Sequence, residues 1–321
     1  MDRPAPIVRV AKGIVRVLGM NPGPFTLDGT NTYLVGNGER RLLVDTGDGE
    51  QPAYFDMLKE CLGGSRIDRI LLTHWHADHI GGVRRLLDMP DIVAPDCTVH
   101  KCPDEAVDSS EAVAAMLALA KSRNKLRSIA DAEVFDAGDG LQLRALFTPG
   151  HADDHMAFTV RPPAGELMLL TGDLVLGRGT TVVQDLGPYM DSLHRVLAVR
   201  PSALLPGHGP IISGGDAAHP DAVRLIEGYI AHRNMRERQI AAVICGPPPD
   251  APPSPRNGGW RVEEVASVVY PDITDPPVVR AAQNNTRLHL DKLVRDGSAK
   301  VSHAAVGDER VDLYAPIGSA F

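Results

Sequence analysis

The sequence predicts an α/β catalytic domain followed by a small winged-helix-like unit. Apolar strand-like runs end four times in tight turns that carry His or Asp. These are Ile70-Leu71-Leu72 before Thr73-His74-Trp75-His76-Ala77-Asp78-His79, Leu141 to Phe147 before Thr148-Pro149-Gly150-His151, Glu166 to Leu170 before Thr171-Gly172-Asp173, and Ala203-Leu204-Leu205 before Pro206-Gly207-His208-Gly209. Four such ends place their polar residues at one edge of a sheet, an arrangement that a scattered set of structural histidines does not produce. A Gly/Pro-rich run, 246–259, then sets residues 260–321 apart as a second unit.

The elements follow in order. Residues 7 to 18 alternate apolar and polar in two bursts around Gly13, as a hairpin at a sheet edge does. Thr30 to Val35 and Arg41 to Asp45 read as strands flanking the turn Gly36-Asn37-Gly38. Pro52 to Cys61 has helical Leu/Met/Phe spacing, Ile70 to Thr73 is a buried strand, and Gly82 to Leu87 continues as a helix beginning beside Asp78 and His79. A strand near Ile92-Val93 follows, and Asp108-Ser109-Ser110-Glu111 caps an Ala-rich surface helix running to about Arg123. His219-Pro220-Asp221 opens a long helix whose polar face carries Arg233, Arg236 and Arg238, the best local basic patch. The predicted division is therefore a catalytic domain over 1–245, a linker over 246–259 and a winged-helix-like domain over 260–321. In the last, Val262 to Tyr270 and Val278 to Arg295 are helices, and Ala299-Lys300-Val301 pairs with Arg310 to Leu313 as a wing. Seven basic against nine acidic residues there argue for packing or homo-oligomerisation rather than DNA reading.

Composition narrows the classes. A chain of 321 residues buries a substantial core, and no apolar run approaches the roughly 20 residues that span a bilayer. The N-terminal residues lack an apolar signal core, so the expectation is a soluble intracellular protein, cytoplasmic or in the mitochondrial matrix. Cys61, Cys97, Cys102 and Cys245 show no CxxC pairing and read as free thiols, with Cys97 and Cys102 the one conceivable redox pair. The formal charge of −8 gives no broad positive field, so an anion would be drawn by a local patch or by a metal site.

The chemistry resides in the turns. His74 and His76, two apart in an extended turn, converge on one ion, while Asp78 and His79 point toward a neighbouring one. Assigned by motif, one ion takes His74, His76 and His151, the other takes Asp78, His79 and His208, and Asp173 bridges both. All donors are N or O, which suits zinc and tolerates manganese or iron. Two zinc ions sharing a water would ionise it near neutral pH and supply the nucleophile. Asp45, at the end of a strand, is placed to accept the second N–H of a ligand histidine and fix its tautomer, with Thr73 beside the ligands. The chemistry read from these residues is hydrolysis, of a thioester, lactam, lactone or phosphodiester alike.

With these residues assembled, the chain resembles the metallo-β-lactamase superfamily, in which His74-x-His76-x-Asp78-His79, His151, Asp173 and His208 fall in the family's order and Asp45 matches its first acid. The resemblance implies a four-layer αββα sandwich with the site at one edge. It tightens to the β-lactamase-like endoribonucleases of animal mitochondria on Asn21-Pro22-Gly23-Pro24, Gly29 to Gly36, Thr148-Pro149-Gly150-His151-x-Asp153-Asp154-His155-Met156, Gly179-Thr180-Thr181-Val182 and His232-Arg233-Asn234. Fungal polyketide thioesterases look similar over the same segments. The resemblance implies a metal-dependent hydrolase of single-stranded RNA or, alternatively, of acyl-CoA or acyl-carrier thioesters and other esters; a different class of reading is an RNA- or protein-binding module. It also implies catalytic roles for Asp78, Asp173 and His155, the last as a donor to the leaving group, and substrate contacts at Asn31 and Arg233. The linker is longer than that group implies, and 95–136 has no clear counterpart.

Overall fold

The computed structural model describes residues 4–162, 165–216, 219–246, 259–306 and 309–317. Most of the predicted linker lies outside the described residues. The chain forms two compact units, Met1–Glu227 and Gly228–Phe321.

The first unit holds two sheets. One runs β1 (Ile7–Ala11), β2 (Ile14–Leu18), β3 (Asn31–Val35), β4 (Arg40–Val44), β5 (Arg66–Leu71), β6 (Val93–Lys101) and β7 (Leu126–Ser128) in that order. Pairing is antiparallel from β1 to β4 and parallel from β4 to β7. The other places β8 (Val134–Asp136), β9 (Gln142–Phe147), β10 (Met156–Val160), β11 (Met168–Gly172), β12 (Ala203–Pro206) and β13 (Ile212–Ser213) side by side. Its β11–β12 pair is parallel and the rest are antiparallel. Tyr33, Val35, Leu42 and Val44 of the first sheet share a buried cluster with Leu143, Phe158, Leu170 and Leu205 of the second, which is the inter-sheet layer. The opposite face of the first sheet, through Val17, Leu34 and Leu43, packs on α1 (Pro52–Leu62), α3 (Val83–Leu87) and α5 (Glu111–Ser122), which flank the single turns α2 (Ala77–Ile80) and α4 (Glu105–Asp108). On the second sheet α6 (Leu186–Val199) is held by Ser192 Oγ donating to Pro149 O (2.8 Å) and Arg195 to Phe147 O (3.0 Å). This is the expected αββα sandwich.

Two elements differ from the sequence reading for physical reasons. The strand near Ile92-Val93 extends nine residues as β6, because its inward alternation runs Cys97, Val99, Lys101 and the lysine is buried by charge pairing with Asp154 and Asp108 (2.8 and 2.7 Å). The predicted boundary at Cys245 moves to 227/228. The helix α7 (Asp221–Cys245) gives Ile240, Ala241, Val243 and Ile244 to the core of the second unit, with Trp260, Val265, Leu290 and Leu293. That unit continues with α8 (Val262–Val269), α9 (Pro276–Arg295) and the hairpin β14 (Ala299–Val306) and β15 (Glu309–Pro316), two helices and a wing as expected. Cys97 and Cys102 are both free. Cys97 lies within β6 and Cys102 just past its end, and five residues of extended chain span about 16 Å, too far for a disulfide. Among the described residues no helix is long and apolar enough to cross a membrane.

Candidate metal centre

The parallel and antiparallel strands of both sheets bring their turns to one edge. His74, His76, Asp78 and His79 follow β5, His151 follows β9, Asp173 follows β11 and His208 follows β12. Two ligand groups form there, His74, His76, His151 and Asp173 in one, Asp78, His79 and His208 in the other. In the first, His74 Nε2 lies 2.8 Å from His76 Nδ1, and His151 Nε2 lies 3.2 and 3.1 Å from those two nitrogens. In the second, His79 Nε2, His208 Nε2 and Asp78 Oδ2 are 3.2 to 3.3 Å apart. Asp173 stands between them, with Oδ2 at 3.3 Å from His208 Nε2 and 3.7 Å from His151 Nε2, and Oδ1 at 3.5 Å from His79 Nε2.

The nitrogens facing inward are fixed by what lies behind them. His79 Nδ1–H donates to Asp45 Oδ2 (2.8 Å) and His151 Nδ1–H to Val182 O (2.7 Å). His74 Nδ1 meets Thr73 Oγ1 (2.9 Å), whose hydroxyl donates to Asp45 Oδ2 (2.8 Å) while Thr73 N–H donates to Oδ1 (2.8 Å). Asp45 is thus a buried carboxylate with three donors, held at φ 60. The left-handed backbone there marks a position that surrounding contacts over-determine. Thr30 Oγ1 donates to Asp78 Oδ2 (2.9 Å). The sequence places this threonine in the segment Gly29 to Gly36 at the start of a strand and gives it no role at the site.

Burial depresses the pKa of His74 well below its ordinary value, that of His76 to about 4, and that of His151, so these three imidazoles are neutral at pH 7. Burial also opposes charge on His79 and His208, yet the carboxylates outweigh it. Asp78, Asp173 and Asp45 carry His79 well above its ordinary value, and Asp173 carries His208 up to about 9. Asp78 and Asp173 fall in turn, despite burial, through His79 and His208. Neutral imidazole nitrogens at 3 Å repel one another unless a cation lies among them, and Asp173 Oδ1 is a buried oxygen with no hydrogen-bond donor among the described residues. Three nitrogens, a carboxylate and a second set of two nitrogens and a carboxylate therefore fit divalent metal. Glycine is required beside them: a Cβ on Gly207 would lie 2.4 Å from Asp173 Oδ1 and 3.0 Å from His79 Cε1.

Three predicted residues take other places. Asn31 is buried, donates to Pro206 O and Gly209 O (both 2.9 Å) and accepts from Arg16 (3.1 Å), so it braces the loop of His208 instead of facing a substrate. His155 is fully buried; its Nε2 accepts from Asp173 N–H (3.1 Å) and its Nδ1 meets Thr148 Oγ1 (2.9 Å), so one nitrogen seats Asp173, the other is held by Thr148, and neither faces the cavity as a donor to a leaving group. Arg233 lies in the second unit, buried, donating to Asn285 Oδ1 (2.9 Å), and Arg236 covers the Tyr270 ring at 4.2 Å. Of the three arginines only Arg238 is exposed.

A cavity of about 440 Å³ opens on the ligands, lined by His76, Asp78, His151, Asp173 and His208 and rimmed by Phe25, Leu27, Leu176, Arg178 and Val182. Of these rim residues the sequence motifs include Val182 alone, in Gly179-Thr180-Thr181-Val182. An exposed Phe after Pro24 in a polar turn is the signal that could have found one of them.

A fold of two face-packed sheets with a His/Asp centre at one edge defines a metal-dependent hydrolase, and the chain belongs to the metallo-β-lactamase superfamily, whose family model matches residues 25–208. A second model, the beta-lactamase associated winged helix domain, matches 262–306. Among relatives, the chain is 36% identical to the Beta-lactamase-like protein 2 homolog of Drosophila melanogaster over 97% of both chains. It is 33% identical to an atrochrysone carboxyl ACP thioesterase of Aspergillus novofumigatus over 91% of this chain and 82% of that one. Among solved structures, a beta-lactamase domain protein from Burkholderia ambifaria shares the fold at TM-score 0.73, with 21% identity over 97% of this chain and 93% of that one.

Proposed function

We propose that this chain is a dinuclear zinc hydrolase that cleaves single-stranded RNA within the strand. The observation that carries the two-ion reading is Asp173, whose oxygens stand between two ligand groups that each already bring three donors. Bound divalent ions lower the pKa of water and stabilise charge developing on a phosphoryl or carbonyl oxygen. The residues of the chain supply the rest. Asp45 and Thr73 keep His79 and His74 in the Nδ1–H tautomer, so that their Nε2 stays free to bind. Asp78, pinned at Oδ2 by Thr30 and lining the cavity, is the carboxylate placed to take the proton of the attacking water on its other oxygen and return it to the leaving oxygen. His155 positions Asp173 through its backbone N–H. An RNA substrate is supported by a mouth that combines an exposed aromatic ring, Phe25, with a cation, Arg178, since single strands are held by stacking and charge together.

A second reading, thioester hydrolysis, is favoured by the apolar share of the same rim, Leu27, Leu176 and Val182, and by the thioesterase among the relatives. Zinc-loaded protein assayed side by side on single-stranded RNA and on acyl-CoA and acyl-carrier thioesters decides between them, with Asp173→Asn as the control for contaminating activity. Cleavage of RNA by wild type and not by the variant supports the first reading; turnover confined to thioesters refutes it in favour of the second.

A further inference from the structure

The loop between β2 and β3 is held at every turn. Gly19 N–H donates to Thr30 O (2.7 Å), Gly23 N–H to Leu27 O (3.1 Å) and Gly29 N–H to Thr26 O (2.8 Å). Thr26 Oγ1 donates to Asn21 O (2.6 Å), while the Asn21 side chain accepts from Thr30 N–H (2.8 Å) and donates to Thr30 Oγ1 (3.0 Å). The same Thr30 hydroxyl reaches Asp78 Oδ2, so the loop is registered directly on a metal ligand. At its tip Phe25 is 80% exposed on the rim of the metal cavity.

Water around a benzyl ring is unfavourable, and a loop this well bonded holds the ring out where a looser one would fold it down. Val182, 58% exposed on the same rim, has a comparable tie, because its carbonyl accepts the His151 Nδ1–H bond. Arg178 sits there too, in a half-exposed pair with Asp28 (3.2 Å) that an incoming phosphate can compete for. An acyl chain gains its binding energy from enclosure of successive CH₂ groups, and a ring this exposed encloses nothing. It offers one open face, which is what a flat partner uses.

Resting on the ribonuclease reading, we propose that Phe25 is the nucleobase-stacking residue of this centre: a base flanking the scissile phosphodiester lies against its ring, and the braced loop sets that base in register with the metal ligands. The test uses the full zinc-loaded chain and a fluorescein-labelled single-stranded oligoribonucleotide of mapped cleavage position, intact or abasic at the flanking nucleotide. Phe25→Ala raises KM about ten-fold or more on intact RNA at wild-type metal content, Phe25→Leu does nearly the same, and Phe25→Trp restores binding. On the abasic oligonucleotide wild type loses the same factor and Phe25→Ala loses nothing further. If wild type cleaves RNA but Phe25→Ala matches it, or if both proteins lose equally on the abasic strand, stacking is overturned and the nuclease reading stands. If wild type leaves RNA intact, the nuclease reading fails and the stacking assignment fails with it, whether or not aryl thioesters are turned over.

Discussion

Replacing Asp45 with Asn measures how firmly the metal ligands are held from behind. The carboxylate takes Thr73 N–H on Oδ1 and both Thr73 Oγ1–H and His79 Nδ1–H on Oδ2, each at 2.8 Å. An amide of the same shape keeps one acceptor and turns the other into a donor. With NH₂ at the Oδ2 position, His79 Nδ1 faces a donor and its proton moves to Nε2, the nitrogen that faces Asp78 and His208. With NH₂ at the Oδ1 position, a donor faces the buried Thr73 N–H, at about 1–3 kcal/mol for the bond left unmade. Outer partners of metal-bound histidines are typically worth about ten- to hundred-fold in affinity. That range is about 1.4–2.8 kcal/mol, so the structural estimate and the general one agree. Asp45→Asn is therefore expected to weaken zinc at the Asp78–His79–His208 group by that factor in a competition titration against a chromophoric chelator, with the fold checked by circular dichroism. A folded variant that takes two zinc ions with wild-type affinity would refute the idea that Asp45 fixes the tautomer.

Four further outcomes follow from the same geometry. Without metal, the folded pKa of His208 at about 9 exceeds its ordinary 6.5, so its stabilising contribution is complete below about 6.5 and is lost as pH rises through 9; the melting temperature of chelated protein falls across that window and that of zinc-loaded protein does not, as scanning calorimetry will show. Gly207→Ala drives a methyl group into Asp173 Oδ1 and is expected to lower metal content, measured by elemental analysis, with little loss of secondary structure. Lys101→Met leaves Asp154 buried without its cation, at about 3–5 kcal/mol in urea unfolding. Burial holds the Asp154 carboxyl at about 6 despite Lys101, a raised acid whose protonated form favours the fold, so this variant's deficit grows as pH rises and shrinks toward pH 5. Because water and not a ribose hydroxyl is the proposed nucleophile, 2′-O-methyl RNA remains a substrate and takes ¹⁸O from labelled water into the product phosphate; complete resistance of the methylated strand contradicts hydrolysis.

The candidate ligands were legible because each of their turns follows an apolar strand. A run such as Leu204-Leu205 or Leu169-Leu170 declares a buried strand, and the Gly-containing turn after it declares an edge, so the sequence locates His208 and Asp173 without knowledge of the strand order. What escaped was whatever breaks the pattern that makes a strand recognisable. The inward positions of β6 include Lys101, which no apolar period includes, and β10 is buried on both faces, so that Met156 to Val160 shows no alternation. The roles of polar residues were harder still, because composition does not give direction. Asn31 and His155 stand next to the site in sequence and in space, yet each spends one end of its side chain on backbone and the other on a neighbouring side chain.

The loops that carry the rim and the loops that carry the ligands are connected by short hydrogen-bonded steps. Thr30 joins the β2–β3 loop to Asp78, and the Val182 carbonyl joins the 179–182 segment to His151. Asn31 N–H donates to Gly207 O and Gly207 N–H to Gly172 O, both at 2.7 Å, so the β3 start, the His208 turn and the Asp173 turn are one continuous backbone ladder. A substrate group that shifts Phe25 or Val182 therefore acts on bonds to metal ligands, and a change in the ions is felt at the rim. On the proposed reading, specificity and chemistry would share the same few bonds. Substitutions at the rim should consequently alter metal affinity in proportion to how far they disturb Thr30 or the Val182 carbonyl, and those that leave both in place should alter substrate choice alone.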